Sequence, residues 1–94
     1  MSTSCLTLAP RLDYGTVSDL HTRLLEHVGA DLELDASQVT HFGALGVQTI
    51  RAAARSWAEA GHSLTMTGTS NDIADQLHLL GFTPATLTGW ELST

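Results

Sequence analysis

The sequence predicts an α/β fold: a small mixed sheet of about four strands, with helices packed mainly on one of its faces. Two observations predict it. Apolar runs with the two-residue period of a strand alternate along the chain with runs that have the helical period. A glycine follows each predicted helix, which is a common stop signal. Strands that alternate with helices need crossover connections, and these favour a mostly parallel or mixed sheet.

The N-terminal third of the chain contains two predicted strands and a helix. SCLTLA, residues 4–9, alternates apolar and polar positions, and RLDY, residues 11–14, could pair beside it as a short second strand. Thr16 resembles the first residue of a weak capping box that opens the first helix. Apolar residues then follow the helical period as far as Val28, and Gly29 ends the helix.

The remaining elements alternate strictly between strand and helix. A strand of period two covers residues 32–35, and the longest helical pattern covers residues 44–60. Another strand lies within residues 62–68. A third helix covers residues 70–80, with Ser70 as its N-cap. The predicted order is therefore β-β-α-β-α-β-α, followed by a short tail.

The chain is expected to form a single domain, residues 1–94, with its core at about 4–82 and a tail at 83–94. Hydrophobic residues make up 43% of the sequence and charged residues 15%, which is typical of a folded protein. The N-terminus lacks the basic start and long apolar stretch of a secretion signal, so we expect a cytoplasmic location. Cys5 lies in an apolar-leaning strand pattern and is expected to be a buried thiol.

The charge balance excludes several classes of partner. Ten acidic residues stand against four arginines, there is no lysine, and the formal net charge is −6. Such a chain has no basic stripe to neutralise phosphates, so nucleic acid and anionic membrane surfaces are not expected partners. No apolar run approaches the length that membrane insertion requires. A protein partner is the expectation that remains.

No pattern of chemistry-bearing residues predicts catalysis, a cofactor or a metal. The five histidines match no metal-binding spacing. Asp13 and Asp35 stand at element ends, where a terminating or capping role explains them. A phosphate-binding P-loop is excluded, because it needs a lysine. The histidines are His21, His27, His41, His62 and His78.

The stretch THFGALGVQT, residues 40–49, combines a tight turn with the start of the longest helix. A helix N-terminus presents free N–H groups and the positive end of the helix dipole. Gly46, in the first turn, would let another molecule approach the backbone closely. An anion, a partner protein or a purely structural turn would each fit these residues, and residue chemistry alone leaves the three open.

Residues 31–82, DLELDASQVTHFGALGVQTIRAAARSWAEAGHSLTMTGTSNDIADQLHLLGF, resemble a STAS domain, the family of anti-sigma factor antagonists and sulfate-transporter tails. Asp35, Gly46, the Ala-rich RAAARSWAEAG and the ending LHLLGF fall in the register of the family pattern. Asp13 is retained in the stretch before the first helix. Small STAS proteins associated with bacterial chemotaxis operons are closely similar.

The resemblance implies a non-enzymatic signalling protein whose partner docks at the loop before helix two. In the family, a Ser or Thr of this loop is phosphorylated and the added charge disrupts docking. Here that acceptor position holds Leu45, so we expect no phosphorylation there. The resemblance implies a kinase-like anti-sigma factor, a chemotaxis protein or another signalling protein as partner. The expected docking loop is Thr40, His41, Phe42, Gly43, Ala44, Leu45 and Gly46, and the acids that match the family are Asp13 and Asp35.

Two other functions are compatible with the sequence. The loop and the helix start could bind a nucleotide or an anionic metabolite, although the acidic chain opposes this. A smaller possibility is a phosphotransfer domain that uses His41. Phosphorylation of another hydroxyl residue, such as Ser37 or Thr40, also stays open.

Overall fold

The computed structural model describes residues 4–90, which form five strands and four helices. The elements are β1 (Ser4–Thr7), β2 (Arg11–Leu12), α1 (Val17–Leu25), β3 (Leu32–Asp35), β4 (His41–Phe42), α2 (Ala44–Glu59), β5 (Leu64–Thr67), α3 (Asn71–Leu79) and α4 (Pro84–Thr88). The predicted α/β class is confirmed, with five strands rather than about four. Residues 91–94 of the predicted tail, and residues 1–3, lie outside the described residues.

The strands of residues 4–90 form two small parallel sheets. One has the order β1-β3-β5, and the other pairs β2 with β4. Every pairing in this part of the chain is parallel, whereas the sequence predicted a mixed sheet. Each pair of neighbouring strands is joined through a helix, and such a crossover returns the chain in the same direction. The strand β2 does not lie beside β1 as predicted. The carbonyl oxygen of Pro10 accepts hydrogen bonds from the N–H groups of Thr40 (2.7 Å) and His41 (3.2 Å), which places β2 beside β4.

The two faces of the larger sheet differ in burial. Leu6 and Leu34 are neighbours on one face and are buried in the core. Cys5, Glu33 and Thr65 are neighbours on the opposite face, where Cys5 and Thr65 are exposed. Cys5 is therefore not the buried thiol that the sequence predicted, because its strand position directs it away from the helices. The helices cover the leucine face, as predicted.

The first helix is shorter than its sequence pattern. It ends at Leu25, and the chain turns through Gly29, which has φ +91°. Thr16 is the N-cap residue of α1, as predicted, but it forms no capping box. Its hydroxyl makes no cap bond to α1 and instead donates to the carbonyl oxygen of Arg11 at 2.6 Å, so it stabilises the turn between β2 and α1.

The segment predicted as a tail contains a fourth helix. Thr83 and Thr86 form a capping box, and Pro84 occupies the first turn of α4. Leu87 is fully buried, so the hydrophobic core extends beyond residue 82, where the sequence analysis placed its end. These start signals are present in the sequence, but the helix has only five residues and no amphipathic period to reveal it.

Arg51 of α2 holds α4 in place. Its guanidinium donates hydrogen bonds to the carbonyl oxygens of Thr86 (2.8 Å), Leu87 (3.0 Å) and Gly89 (2.7 Å). It also lies over the ring of Trp90, with 4.6 Å to the ring centre. A cation at the carbonyl end of a helix is electrostatically favourable, so Arg51 joins α4 to α2. Between residues 4 and 90, no helix is both long and apolar enough to cross a membrane.

Candidate partner-docking site at the start of helix α2

The loop before α2 is attached to β2 by backbone hydrogen bonds. The N–H of Gly43 donates to the carbonyl oxygen of Leu12 at 2.8 Å. On the preceding turn, the N–H and the hydroxyl of Thr40 both donate to the carbonyl oxygen of Pro10, at 2.7 and 3.1 Å. The loop therefore follows the path of β2 rather than projecting freely from the domain.

Helix α3 holds the same loop from the other side. The side-chain oxygen of Gln76 accepts a hydrogen bond from the N–H of Phe42 at 2.8 Å, and its amide nitrogen donates to the carbonyl oxygen of Thr40 at 3.3 Å. The Phe42 ring is buried in the core. Gln76 thus satisfies backbone groups on the side of β4 that faces away from β2. The loop is therefore held in place on both sides.

The two glycines of the loop serve packing within the chain. A Cβ atom on Gly46 would lie 2.9 Å from both the Cβ and the carbonyl oxygen of Leu12. A Cβ atom on Gly43 would lie 3.0 Å from the same oxygen. Gly46 is buried, so the space that the sequence analysis assigned to another molecule is occupied by Leu12 of this chain. The glycine is needed because β2 crosses closely over the first turn of α2.

Apolar side chains surround the part of the loop that remains accessible. Leu79 is 85% exposed, Leu80 40% and Leu45 39%. Ala44 is exposed and lines one shallow, open depression together with Leu79 and Leu80. Leu45 does not line this depression but follows Ala44 on the first turn of α2, and we call these four residues the α2–α3 patch. Large apolar side chains grouped in this way on a protein surface commonly mark an interaction site.

Asp13 places a negative charge beside the loop. Its carboxylate accepts hydrogen bonds from the Arg11 guanidinium at 3.0 Å and from the N–H of Gly15 at 3.1 Å. The bond from Arg11 is the main reason that the pKa of Asp13 is lowered, and a smaller contribution comes from His41. A Cβ on Gly43 would lie 3.6 Å from the Cα of Asp13, so the backbone of Asp13 lies beside the start of α2, with its carboxylate paired to Arg11.

Asp35 lies in a different environment. Its carboxylate accepts a hydrogen bond from the N–H of Ser37 at 2.9 Å, and this bond is the main cause of its lowered pKa. It also lies against Gly68, whose φ of +72° suits glycine. The structure therefore places one family-matched acid, Asp13, beside the loop, and it gives the other a role in turn formation.

Sequence reasoning missed three residues of this site: Gln76, Leu79 and Leu80. Leu79 lies off the apolar stripe of Ile73, Leu77 and Leu80, and this excess was a signal that could have found it. Leu80 continues that stripe, so its pattern predicts burial rather than the partial exposure observed. The role of Gln76 had no such signal, because it depends on the distance between α3 and β4. Within residues 4–90, no group of His, Cys, Asp or Glu is arranged to hold a metal ion.

A family model and a solved structure are similar to this chain. A family model described as "Mlab, STAS domain" matches residues 1–88. Among solved structures, the chain is similar to a sulfate transporter family protein from Wolinella succinogenes, with a TM-score of 0.73 and 18% sequence identity. That similarity covers 93% of this chain and 71% of the other. A search of curated proteins gave no match.

Proposed function

This chain belongs to the STAS family, and from that premise we propose that it is a non-catalytic signalling adaptor that docks a protein partner at the loop before α2. STAS domains commonly mediate protein interactions. The proposed docking surface is the α2–α3 patch together with the accessible residues of the loop, Thr40 and His41. A cytoplasmic location and a signalling protein as partner belong to the same proposal.

The observation that carries the proposal is the exposure of the α2–α3 patch around a loop that is itself held firmly. Leu79 is 85% exposed although it lies at the end of an otherwise amphipathic helix. Pre-formed surfaces bind without the entropic cost of ordering a flexible loop. The hydrogen bonds of Gln76 and Leu12 therefore support a role for this loop in recognition.

Leu45 gives the proposed adaptor a constitutive character. In the family pattern its position carries the hydroxyl that receives phosphate, and leucine cannot be phosphorylated. The side chain is 39% exposed on the first turn of α2, where it would contact a partner directly. Docking would then be regulated by the abundance or the state of the partner rather than by modification at this position.

Site-specific photo-crosslinking tests the docking surface. A photoreactive amino acid placed at Leu45 or Leu79 is expected to crosslink a defined protein, which mass spectrometry identifies. The same amino acid at Thr65 is the matched control, because Thr65 is exposed on the outer face of the sheet. The identified protein is then purified, and its affinity for the wild-type chain is measured by calorimetry.

Leu45→Asp provides the decisive variant. The change removes an apolar contact and adds a charge, while an acid in the first turn of a helix does not harm the fold. We expect the affinity for the identified partner to fall by about tenfold or more, as for an interface residue whose removal costs about 1.4 kcal/mol. Unchanged affinity in a variant whose circular dichroism is normal would show that docking occurs elsewhere.

The start of α2 also favours a second candidate, an anion-binding module. Gly43 supplies no side-chain cap, and the first turn of α2 contains no acidic residue. The net charge of −6 and the absence of lysine oppose this function. Calorimetry with nucleotides and phosphorylated metabolites distinguishes the two functions, because the adaptor is expected to show no heat of binding. The His41 phosphotransfer hypothesis stays a prediction, tested by mapping acid-labile phosphate after incubation with a phosphodonor.

A further inference from the structure

Within residues 4–90, the strand β1 forms an outer edge of the three-stranded sheet, and backbone groups on its outward side have no hydrogen-bond partner. The N–H of Ser4 donates to the carbonyl oxygen of Asp31 at 3.0 Å, and that of Leu8 donates to Asp35 at 2.9 Å. Successive residues of a strand direct their backbone groups to opposite sides. Cys5 and Thr7 therefore direct their N–H and carbonyl groups away from β3.

The two outer strands of this sheet, β1 and β5, differ in how far helices pack against them. Helices α2 and α4 pack against β5, whereas within residues 4–90 the main packing partner of β1 is β3. Cys5 and Thr7 are both exposed. Natural edge strands are usually blunted by charged side chains, a proline or a bulge. The segment Ser4–Thr7 carries none of these, so its free edge can accept another strand.

The surface beside this edge carries side chains of both charges. A depression lies between β1 and α1, and its lining includes Thr7, Asp19 and Arg23. Asp19 and Arg23 carry opposite charges one helical turn apart and form a 3.0 Å ion pair. A two-fold axis beside β1 would bring this side of α1 against its own equivalent, so that each guanidinium meets a carboxylate of the other copy. This charge pattern favours a second copy of the chain over an unrelated strand.

We propose that β1 pairs antiparallel with β1 of a second copy, about a two-fold axis at Leu6. In this register Cys5 lies opposite Thr7 of the second copy, and each such pair exchanges two N–H···O=C bonds. The two three-stranded sheets then form one continuous sheet. The interface is isologous, meaning that the same residues contribute from both copies. It lies on β1 and α1, so it is independent of the proposed docking function.

Mass measurement of the purified chain tests the association. Light scattering after size-exclusion chromatography is expected to show the mass rising from 10.0 kDa toward twice that value as the concentration increases from the micromolar to the millimolar range. Thr7→Pro removes an outward N–H and leaves the bonds to β3. The dissociation constant of the dimer should therefore rise by about tenfold or more. Thr7→Val keeps the N–H and is the matched control, expected to dimerise as the wild type does.

Disulfide crosslinking tests the register without relying on a proline. In the proposed pairing, Thr7→Cys places a thiol opposite Cys5 of the second copy, at a Cα separation of about 5.5 Å that a disulfide can span. Oxidation should give a covalent dimer, and adding Cys5→Ser should abolish it. Thr65→Cys, on β5, is the control. A wild-type chain that remains monomeric over the whole concentration range, or a Thr7→Cys chain that crosslinks no more than Thr65→Cys, overturns the proposal.

Discussion

Helices α2 and α3 begin in contrasting ways. At the start of α3, the Ser70 hydroxyl accepts a hydrogen bond from the N–H of Ile73 at 3.2 Å, and Asp72 lies in the first turn. At the start of α2, Gly43 offers no side-chain cap and no acid follows it. Both helices are well formed, so the interactions that hold α2 must come from elsewhere in the chain.

The difference teaches how the loop proposed for docking can be rigid and still leave its own side chains accessible. Local capping uses the side chains at the helix start, as Ser70 does. The start of α2 is instead held by hydrogen bonds from the backbone of the preceding loop to Leu12 of β2 and to Gln76 of α3. Ala44 and Leu45 therefore remain free to contact another molecule. The variants below test this contrast, from the largest expected effect to the smallest.

Gly46→Val should have the largest effect on stability. The added side chain would overlap the backbone oxygen and the Cβ of Leu12, each 2.9 Å from the position of a new Cβ. Backbone atoms of a paired strand yield little, so we expect a loss of about 3 kcal/mol in the free energy of unfolding, measured with urea. Ala52→Val, at an exposed position of the same helix, should cost under about 1 kcal/mol. Equal losses in the two variants would mean that the close crossing of β2 over α2 does not matter.

Gln76→Leu should have the next largest effect. It removes the acceptor of the Phe42 N–H and leaves a partly buried donor unsatisfied, at a cost of about 2 kcal/mol by urea unfolding. Gln76→Glu keeps an acceptor for the Phe42 N–H but loses the amide that donates to Thr40, so it should recover only part of the loss. A Gln76→Leu variant as stable as the wild type would show that Gln76 does not hold the loop.

Ser70→Ala should cost less, about 1 kcal/mol, because it removes a single local cap from α3. Thermal and urea unfolding measure the loss, and Ser56→Ala in the middle of α2 serves as the control. The comparison of the two helix starts predicts that partner binding at α2 is unchanged in this variant. If Ser70→Ala lowered the free energy of unfolding more than Gln76→Leu does, the local cap of α3 would matter more than the tertiary bonds that hold the start of α2.

Asp13→Asn should give the smallest effect, seen most clearly as a change in pH dependence. The pKa of Asp13 is lowered in the folded state, chiefly by the hydrogen bond from Arg11. Its contribution is therefore present above the unfolded-state pKa of about 3.9 and is lost as the pH falls through the lower folded-state pKa. Asparagine does not titrate, so stability should fall less steeply with acid below about pH 5. Asp75→Asn, at an exposed position of α3, is the control, and identical acid profiles for the two variants would contradict the prediction.

The sequence predicted most of the longer elements because their signals are local. The helical period between residues 44 and 60 corresponds to α2, and the alternation of LELD corresponds to β3. The resemblance to the STAS family, which rested on spacing over most of the chain, is confirmed. Elements of two residues, such as β4, have no period to detect, and the pairing of β2 with β4 depends on backbone bonds across thirty positions of sequence.

The sequence by itself determined the alternation of strands and helices, the absence of a hydroxyl at Leu45 and the net charge of −6. These follow from composition and local period, which each short segment carries alone. Only the tertiary structure decided that Gly46 accommodates Leu12, that Gln76 holds the loop and that Leu79 lies exposed beside it. Each of these depends on how separate segments meet, and the distance between segments is set by the packing of the whole core.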